Sequence, residues 1–253
     1  MLRLITDRFD PPWRDTAVSA AILSRVARHE DPATLRLWVP QRSVAFGRQD
    51  RSRPGYRAAV AAVGELGYAP VERLAGGRAA VFHEGTIAFA WTLPDATGPA
   101  GITPRFAVIA GLVVRALQVL GLDARVGEVP GEYCPGEWSV NLGGTHKVMG
   151  VGQRVVRGGA HVGGVIVVAG ADAVNTPLVP AYHHLEYEWR PEATGALDFD
   201  AAAPGSGVVT AALVAEFAKI GEEAVSGTVG PACLALADTL ATAHDATRSA
   251  ETQ

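Results

Sequence analysis

The stretch TPRFAVIAGLVVRALQVLG, residues 103–121, carries the clearest secondary-structure signal in the chain. Thr103 is a good N-cap residue, Pro104 suits the first helical position, and Gly121 stands where a left-handed C-cap is wanted. Between them, apolar side chains recur at helical spacing at Phe106, Ile109, Val113, Leu117 and Leu120. We therefore expect a helix over residues 104–120 whose apolar face lies flat on a β-sheet.

Short apolar segments with the two-residue period of strands stand on both sides of this helix. They predict strands at residues 2–6, 35–39, 44–46, 70–74, 80–82, 86–92, 138–141, 147–156 and 161–168. Further helices are expected after a cap at Asp15 or Thr16, from Pro54, and over residues 208–220 and 232–243. Clustered strands interrupted by helices predict an α+β fold, in which a mixed, largely antiparallel sheet is flanked by helices. We expect one domain over residues 1–243, with a loop at residues 191–207, and a frayed tail at residues 244–253.

Composition and charge narrow the classes of function. The chain has a formal net charge of −4, and no basic patch of the size that nucleic-acid binding requires stands out. Charges near the start argue against a signal peptide, and the longest apolar stretch, residues 106–120, is expected to be too short to span a bilayer. The sequence thus predicts a cytoplasmic protein that binds neither nucleic acid nor membrane.

Cysteines and histidines do not form a recognisable metal site. Cys134 and Cys233 make no CxxC pair, so neither a disulfide framework nor a zinc site is expected. His183 and His184 lack further ligands at metal spacing and are interpreted as surface or loop residues.

The first segment with chemical potential is RLAGGRAAVFHEG, residues 73–85. Gly76 and Gly77 allow the backbone to approach a ligand closely, and Arg73 and Arg78 can add charge-assisted bonds to an anion. The alternative is a tight hairpin whose arginines are solvated, which a lone Gly-Gly pair more often indicates.

The second segment, GGTHKVMGVGQR at residues 143–154, places Lys147 at the start of a strand that carries Gly150 and Gly152. Glycine inside a strand marks a bulge or close packing against a ligand. A lysine ammonium here can hold the oxygen of an activated acyl group while charge develops on it. A solvent-exposed lysine on an edge strand is the competing interpretation.

The third segment, GEYCPGEWSVN at residues 131–141, holds Cys134 in a loop rich in proline and glycine. Such a cysteine is accessible, and a nearby cation would favour its thiolate. Lys147 is the candidate cation and His161 a candidate base. The alternative is a structural cysteine, and this is the interpretation adopted for Cys233 on the apolar face of the last helix.

Taken together, the three segments resemble the lipoate–protein ligase and octanoyltransferase family, whose catalytic domain is shared with biotin–protein ligases. Members carry an arginine-rich Gly-Gly segment that ends in a histidine, and a lysine motif of the form Gly-(basic)-Lys-(Ile/Val)-x-Gly-x-(Ala/Gly)-Gln. The matching residues are Arg73, Gly76, Gly77, Arg78 and His83 for the first, and Lys147, Val148, Gly150, Gly152 and Gln153 for the second. The resemblance implies a biotin/lipoate ligase-like domain, with the acyl chain in an apolar tunnel and Lys147 contacting the acyl carbonyl. Arg73, Gly76, Gly77, Arg78, His83, Gly150, Gln153 and His161 are then the expected substrate-binding residues.

Three functions follow from this resemblance. The first is transfer of an octanoyl or lipoyl group from an acyl carrier protein, through a thioester at Cys134, to a lysine of a lipoyl-domain protein, without a cofactor. The second is ligation of free lipoate with ATP and Mg²⁺ through a lipoyl-adenylate. The third is a non-catalytic relative that binds acyl groups.

Overall fold

The computed structural model describes residues 1–199 and 203–251. Its strands are β1 (Leu2–Ile5), β2 (Thr34–Trp38), β3 (Ser43–Phe46), β4 (Ala69–Glu72), β5 (Ala80–Phe82), β6 (Thr86–Asp95), β7 (Ala124–Val126), β8 (Val140–Leu142), β9 (His146–Val156), β10 (Gly158–Val167) and β11 (Ala224–Ser226). Its helices are α1 (Pro12–Ala27), α2 (Arg48–Arg51), α3 (Tyr56–Glu65), α4 (Ile102–Val119), α5 (Ala171–His184), α6 (Ser206–Lys219), α7 (Pro231–Leu240) and α8 (Ala246–Glu251). All nine expected strands are present, whereas β7, β11, α2, α5 and α8 were not expected.

Eight strands form the main sheet, in the order β11-β1-β2-β6-β10-β9-β8-β7. β1 runs parallel to both of its neighbours, and the other adjacent pairs are antiparallel. A second sheet has the order β4-β3-β5, with one parallel and one antiparallel pair. The prediction of an α+β fold with a mixed, largely antiparallel sheet is confirmed.

Side chains of the central strands alternate between two faces, and the faces differ in composition. Leu35, Phe89 and Val162 belong to the largest buried cluster, which also contains the apolar faces of α4 and α6. The residues that alternate with these three along each strand lie on the opposite face of the sheet, towards α1, and several of them are very small. The first face is a hydrophobic core, and the second leaves room for a cavity.

The helix predicted over residues 104–120 is α4, which packs as expected but begins two residues earlier, at Ile102. Ile109, Val113 and Leu117 are buried in the main cluster, and Gly121 has the predicted positive φ of 85°. Thr103 lies inside the helix, because the N-cap position is taken by Gly101. With the preceding turn, the helix spans Gly98–Val119, which is longer than the 106–120 stretch considered in the sequence and is long and apolar enough to cross a membrane by length and composition. Its packing in the core is the arrangement of a globular domain's central helix.

The start of α1 also differs from the sequence expectation. The helix begins at Pro12, and Asp15 lies inside it instead of capping it. The Asp15 carboxylate is buried and accepts a hydrogen bond of 2.7 Å from Arg36 on β2. This ion pair thus fixes α1 against β2, and no local sequence pattern predicts it.

Two segments at the C-terminal side of the chain differ from the sequence expectation. His183 and His184, interpreted as surface or loop residues, lie at the end of the helix α5, and His183 is exposed. Residues 246–251 form α8, which buries Ala246 and Ala250 against the second core cluster, so the tail is not frayed there. Residues 252–253, and residues 200–202 of the loop expected at 191–207, lie outside the described residues.

Candidate functional site

Cys134 occupies a strained loop between β7 and β8. Its φ of 42° lies in the left-handed region, which a non-glycine residue adopts only when the surroundings hold it there. The Cys134 backbone N–H donates to Tyr182 Oη at 2.9 Å, and the Tyr182 hydroxyl donates to Ala79 O at 3.0 Å. The strain and the buried tyrosine fix the direction of the thiol.

The sulfur of Cys134 is surrounded by donors from the Gly-Gly segment. The Arg78 backbone N–H donates to Sγ at 3.1 Å, and Arg73 Nη1 lies 3.8 Å from the same atom. Arg73 is itself fixed by a 2.7 Å hydrogen bond to Arg78 O. A backbone N–H and a guanidinium therefore both face the sulfur, which is the atom of a cysteine that attacks carbonyl groups. The cation beside the thiol is therefore Arg73, and not Lys147 as expected.

Lys147 contacts the backbone of the cysteine loop instead. Its ammonium donates to Glu132 Oε1 at 2.9 Å, to Tyr133 O at 2.9 Å and to Cys134 O at 2.8 Å. An ammonium has three donors, and these contacts use all of them. Because Lys147 and Glu132 are 1% and 2% exposed, the pair is shielded from water and holds the loop firmly.

The Glu132 carboxylate is buried within the cysteine loop and is hydrogen-bonded to other residues of that loop. Its two oxygens accept hydrogen bonds from the backbone N–H groups of Val129 and Gly136 and from the Ser139 hydroxyl, in addition to Lys147. A buried carboxylate is tolerated only with such a set of donors. Lys147 and Glu132 together determine the shape of residues 129–139.

The Gly-Gly segment packs closely against the turn that precedes α2. A Cβ at Gly47 would lie 1.8 Å from the carbonyl oxygen of Gly77, so only glycine fits at position 47. The Gly47 N–H donates to the Asp50 carboxylate at 2.6 Å, and burial raises the pKa of Asp50 to about 6. Gly77 has a φ of 115°, and a Cβ there would lie 3.0 Å from Cys134 Sγ. Gly76 faces open space.

These residues line a cavity of about 500 Å³, here called the cysteine cavity. It extends between the Gly-Gly segment, the cysteine loop, the start of α4 and the outer edge of β9. β8 pairs with β9 only up to Met149, so the cavity opens onto a free strand edge. Seven of the ten predicted site residues line the cysteine cavity: Arg73, Gly76, Gly77, Cys134, Lys147, Gly150 and Gln153.

Gln153 joins the edge of β9 to the start of α4. Its amide donates to Ile102 O at 2.7 Å, and its side-chain oxygen accepts from Arg105 Nε at 2.9 Å. Arg105 is buried and is also paired with Asp95 at 2.8 Å. Gln153 therefore shapes one wall of the cysteine cavity through these contacts.

The other three predicted residues are not among the residues lining this cavity. Arg78 supplies its backbone N–H to the thiol, while its guanidinium stacks 4.4 Å from the ring centroid of Tyr187. His83 is buried beside Gly85, whose N–H donates to its Nδ1 at 3.0 Å, and burial lowers its pKa. His161 lines a second cavity, with Asp15, Ser19 and Trp38, and is not placed to act as a base for Cys134.

A third cavity, of about 550 Å³, also adjoins the Gly-Gly segment. Its lining includes four arginines, Arg48, Arg51, Arg73 and Arg154. Among the described residues, no group of three or more His, Cys, Asp or Glu side chains could hold a metal ion.

Comparison with known proteins agrees with this geometry. The family model described as the lipoyl protein ligase A/B catalytic domain matches residues 11–180, about two thirds of the chain. The chain belongs to this family. The matched region begins near the start of α1 and ends within α5, and it includes the three segments singled out in the sequence.

Relatives within the family carry transferase names. A protein of Geobacillus kaustophilus named octanoyl-GcvH:protein N-octanoyltransferase is 29% identical over 169 residues, which are 67% of this chain and 59% of that protein. A Bacillus velezensis protein of the same name is 32% identical over 146 residues, covering 58% of this chain and 50% of the relative. The matches thus span between half and three fifths of these curated relatives.

Solved structures give the same fold. A crystal structure of lipoate-protein ligase A bound with ATP superposes with a TM-score of 0.77 at 20% identity, covering 95% of this chain and 94% of that one. At this identity the likeness establishes the lipoate ligase fold and nothing finer.

Some members of the site had no signal in the sequence. Glu132 is next to a tyrosine and a cysteine in a loop, and only the fold shows that its carboxylate closes that loop. Arg105 lies in the first turn of an apolar helix, where a charged residue is ordinarily solvated. One signal was available: Arg105 stands among mostly apolar residues on its helix, and an arginine in such surroundings requires a buried partner.

Proposed function

We propose that residues 1–243 form an acyltransferase of protein lipoylation. In this function an octanoyl or lipoyl group passes from a carrier protein to Cys134 and then to a lysine of a lipoyl-domain protein. One observation carries the proposal: the Cys134 thiol lies in the cysteine cavity, with the Arg78 N–H at 3.1 Å and Arg73 Nη1 at 3.8 Å from its sulfur. Such donors suit a nucleophilic thiolate and have no evident purpose around a structural cysteine.

The proposed reaction has two steps. In the first, the Cys134 thiolate attacks the acyl carbonyl of the donor protein and forms the enzyme thioester. A thioester donor releases its thiolate, and an amide donor releases its lysine amine, whose nitrogen takes up a proton as it leaves. In the second, the neutral amine of the acceptor lysine attacks this thioester, losing a proton as the amide forms and the Cys134 thiolate is regenerated. A thioester donor is exchanged for the enzyme thioester and then for a more stable amide, and an amide donor is exchanged overall for another amide, so neither route requires ATP.

Each surrounding residue has a role in this scheme. Arg73 stabilises the thiolate before attack and after release. Lys147 is proposed to act by positioning Cys134, since its three donors are engaged by the loop. Gly76 and Gly77 allow the acyl carbonyl to approach the sulfur, because side chains there would fill the space beside it.

The names of the relatives support an acylated carrier as the donor. Both of the relatives described above are named for transfer from an octanoyl-GcvH protein. We therefore propose either octanoyl-GcvH or octanoyl acyl carrier protein as donor, and a lipoyl-domain protein as acceptor.

A second candidate function is ATP-dependent ligation of lipoate. The observation that favours it is the third cavity, where four arginines adjoin the Gly-Gly segment and would suit phosphate groups. In that function Cys134 would form no covalent intermediate.

Intact-mass spectrometry distinguishes these functions. The protein is incubated separately with octanoyl-GcvH, with octanoyl acyl carrier protein, and with lipoate plus ATP. The transferase proposal expects a mass increase of one octanoyl group that hydroxylamine removes and that Cys134→Ser prevents. Acceptor modification that depends on ATP and persists in Cys134→Ser would establish the ligase instead. No adduct and no acceptor modification in any mixture would leave a non-catalytic acyl-binding protein.

A further inference from the structure

A single carboxylate, that of Glu137, is found among the described residues that line the cysteine cavity. Glu137 follows Cys134 by three positions in the loop between β7 and β8. The exposed residues of the lining, which mark the mouth of the cavity, are Gly76, Thr103, Pro135 and Glu137. Within residues 1–199 and 203–251 the Glu137 carboxylate has no hydrogen bond or ion pair. Its negative charge is therefore unbalanced at the mouth of the cavity.

The basic side chains of the cavity lining are already engaged inside the protein. Lys147 gives its three donors to the loop that holds Cys134. Arg73 donates to a backbone carbonyl group and faces the sulfur. Because neither of them donates to Glu137, this carboxylate is available to a cation that enters the cavity from outside.

Two aromatic rings line the same cavity. Trp138 follows Glu137 in the chain, and its ring is stacked on that of Phe106 from the first turns of α4. The ring centroids are 6.5 Å apart, and the ring planes are inclined by only 10°. Both residues are half-buried. Aromatic faces attract ammonium groups, and the methylene stem of a lysine packs well on apolar surface, so the chemistry of this wall suits a lysine side chain.

We propose that Glu137, Trp138 and Phe106 form the subsite that receives the target lysine of a partner protein. The stem of that lysine would pack on the two rings, while its nitrogen meets the Glu137 carboxylate beside the Cys134 sulfur. The inference deepens the proposed function, on which it rests for the acyl chemistry. One subsite would serve both the lysine of an acceptor and the lysine of an amide donor, since each brings a nitrogen to the same sulfur.

Glu137 has a chemical role in both directions of transfer. When the acceptor amine attacks the thioester, the C–N bond forms, the C–S bond breaks with its electron pair left on the Cys134 sulfur, and the nitrogen releases a proton. Glu137 accepts this proton and passes it to water. When an amide donor acylates Cys134, the C–S bond forms, the C–N bond breaks, and protonated Glu137 supplies the proton that the departing amine takes up. A thioester donor has no nitrogen at the reacting carbon and requires no such proton.

Single-turnover kinetics with two donors test this role, with the acylated protein followed by intact-mass spectrometry. In Glu137→Gln, acylation of Cys134 by octanoyl acyl carrier protein should stay within about twofold of wild type, because no nitrogen takes part. Acylation by octanoyl-GcvH, and transfer from the acylated enzyme to a lipoyl domain, should each slow by at least about 10-fold. This bound is below the 10² or so typical of a general base, because water reaches the mouth of the cavity.

Three further variants separate this role from general damage. Glu128→Gln changes another exposed glutamate of the same loop, which does not line the cavity, and should keep wild-type rates. Glu137→Asp retains a carboxylate and should recover part of the slowed rates. Trp138→Leu should raise the concentration of lipoyl domain required for half-maximal transfer, since the lysine stem loses one of its rings.

Binding tests the subsite without any transfer. Isothermal titration measures the affinity of the unacylated protein for a lipoyl domain that carries its target lysine, and for the same domain with methionine in that place. The exchange should weaken binding several-fold in wild type and much less in Glu137→Gln, because the lysine nitrogen has then already lost its partner.

A wild-type rate of transfer to the lipoyl domain in folded Glu137→Gln overturns the inference, as does an equal loss of rate with the thioester donor and the amide donor. If wild type forms no thioester with either donor, the proposed function fails, and the binding comparison alone decides on the subsite. Equal weakening by methionine in wild type and in Glu137→Gln then overturns the subsite, and weakening confined to wild type supports it.

Discussion

The two cysteines of the chain lie in opposite environments. Cys134 is partly buried at the wall of a cavity, in a strained loop, with donors from Arg73 and Arg78 directed at its sulfur. Cys233 is 1% exposed on α7 and is packed against α1 in an apolar cluster, where burial raises the pKa of its thiol. The same residue type is therefore prepared for chemistry in one place and serves as a small apolar side chain in the other. The two environments differ in the access of the sulfur to a cavity and in the hydrogen-bond donors that face it.

The largest expected effect comes from exchanging the two sulfurs for oxygen. Cys134→Ser should lower acyl transfer by at least about 10³-fold, because a serine hydroxyl without a base is a poor nucleophile. Cys233→Ser should leave transfer within about twofold of wild type, since Cys233 is remote from the cavity. Steady-state transfer from octanoyl-GcvH to a lipoyl domain measures both. A Cys134→Ser protein that keeps a tenth of wild-type turnover would contradict the proposed role of Cys134 as the nucleophile.

The next effect concerns what holds Cys134 in place. Lys147→Ala should slow transfer by about 10²-fold, because the thiol would no longer be held in its attacking position. It should also lower the free energy of unfolding by about 3–5 kcal/mol, because the buried Glu132 loses its charged partner. Urea unfolding and single-turnover acylation measure the two effects.

A double variant provides the control for this role. Lys147→Met combined with Glu132→Gln removes both charges and should recover much of the stability without recovering the rate of acylation. Full recovery of both would mean that the ion pair serves stability alone.

The two glycines beside Cys134 should differ in sensitivity. Gly77→Val places a Cβ against the sulfur and requires a strained φ, so acylation should fall by roughly 10-fold or more. In Gly76→Val the new side chain would extend into open space at the wall of the cysteine cavity. Its effect should be smaller, because it only narrows the cavity. Acylation rates at a fixed donor concentration compare them. Equal losses would indicate that the segment acts as a simple hairpin.

The smallest expected effect is a dependence of stability on pH. The pKa of Asp50 rises from 3.8 to about 6, so between these values the folded protein binds this proton more tightly than the unfolded chain does. The Asp50 contribution to stability is therefore greatest below pH 4 and is lost as pH rises to about 6. Asp50→Asn keeps an oxygen that can accept from the Gly47 N–H and lacks this titration. Melting temperatures at pH 4 and pH 7 should then differ less in Asp50→Asn than in wild type, and parallel shifts would contradict the assignment.

The sequence predicts elements better than it predicts contacts between them. The strands and the apolar face of α4 follow from local periodicity, and the family motifs lead to the residues of the cysteine cavity. The partner of Lys147 does not follow, because Glu132 approaches it only through the pairing of β8 with β9. The same limit led to the wrong choice of cation beside Cys134: Arg73 is 61 residues away in sequence, whereas Lys147 is 13 away.

Helix boundaries failed where tertiary contacts override local preference. Asp15 has the side chain of a good cap, yet its carboxylate binds Arg36 inside the helix. α5 contains two prolines and still forms a helix, because Val174, Leu178 and Ala181 are buried in the second core cluster. His83 and His161 were both predicted to bind substrate, and the fold places both of them outside the lining of the cysteine cavity.

The placement of the cysteines also determines how the protein responds to oxidants. A cysteine sulfur that lies at the wall of a cavity can be reached by peroxide, which oxidises it to a sulfenic acid. The chain has only two cysteines, and Cys233 is packed in a separate cluster, so no resolving thiol of its own stands next to Cys134. Recovery from such oxidation would depend on a small-molecule reductant entering by the route that the acyl group uses. A bound acyl chain would shield the sulfur, and the loaded enzyme would be the more resistant form.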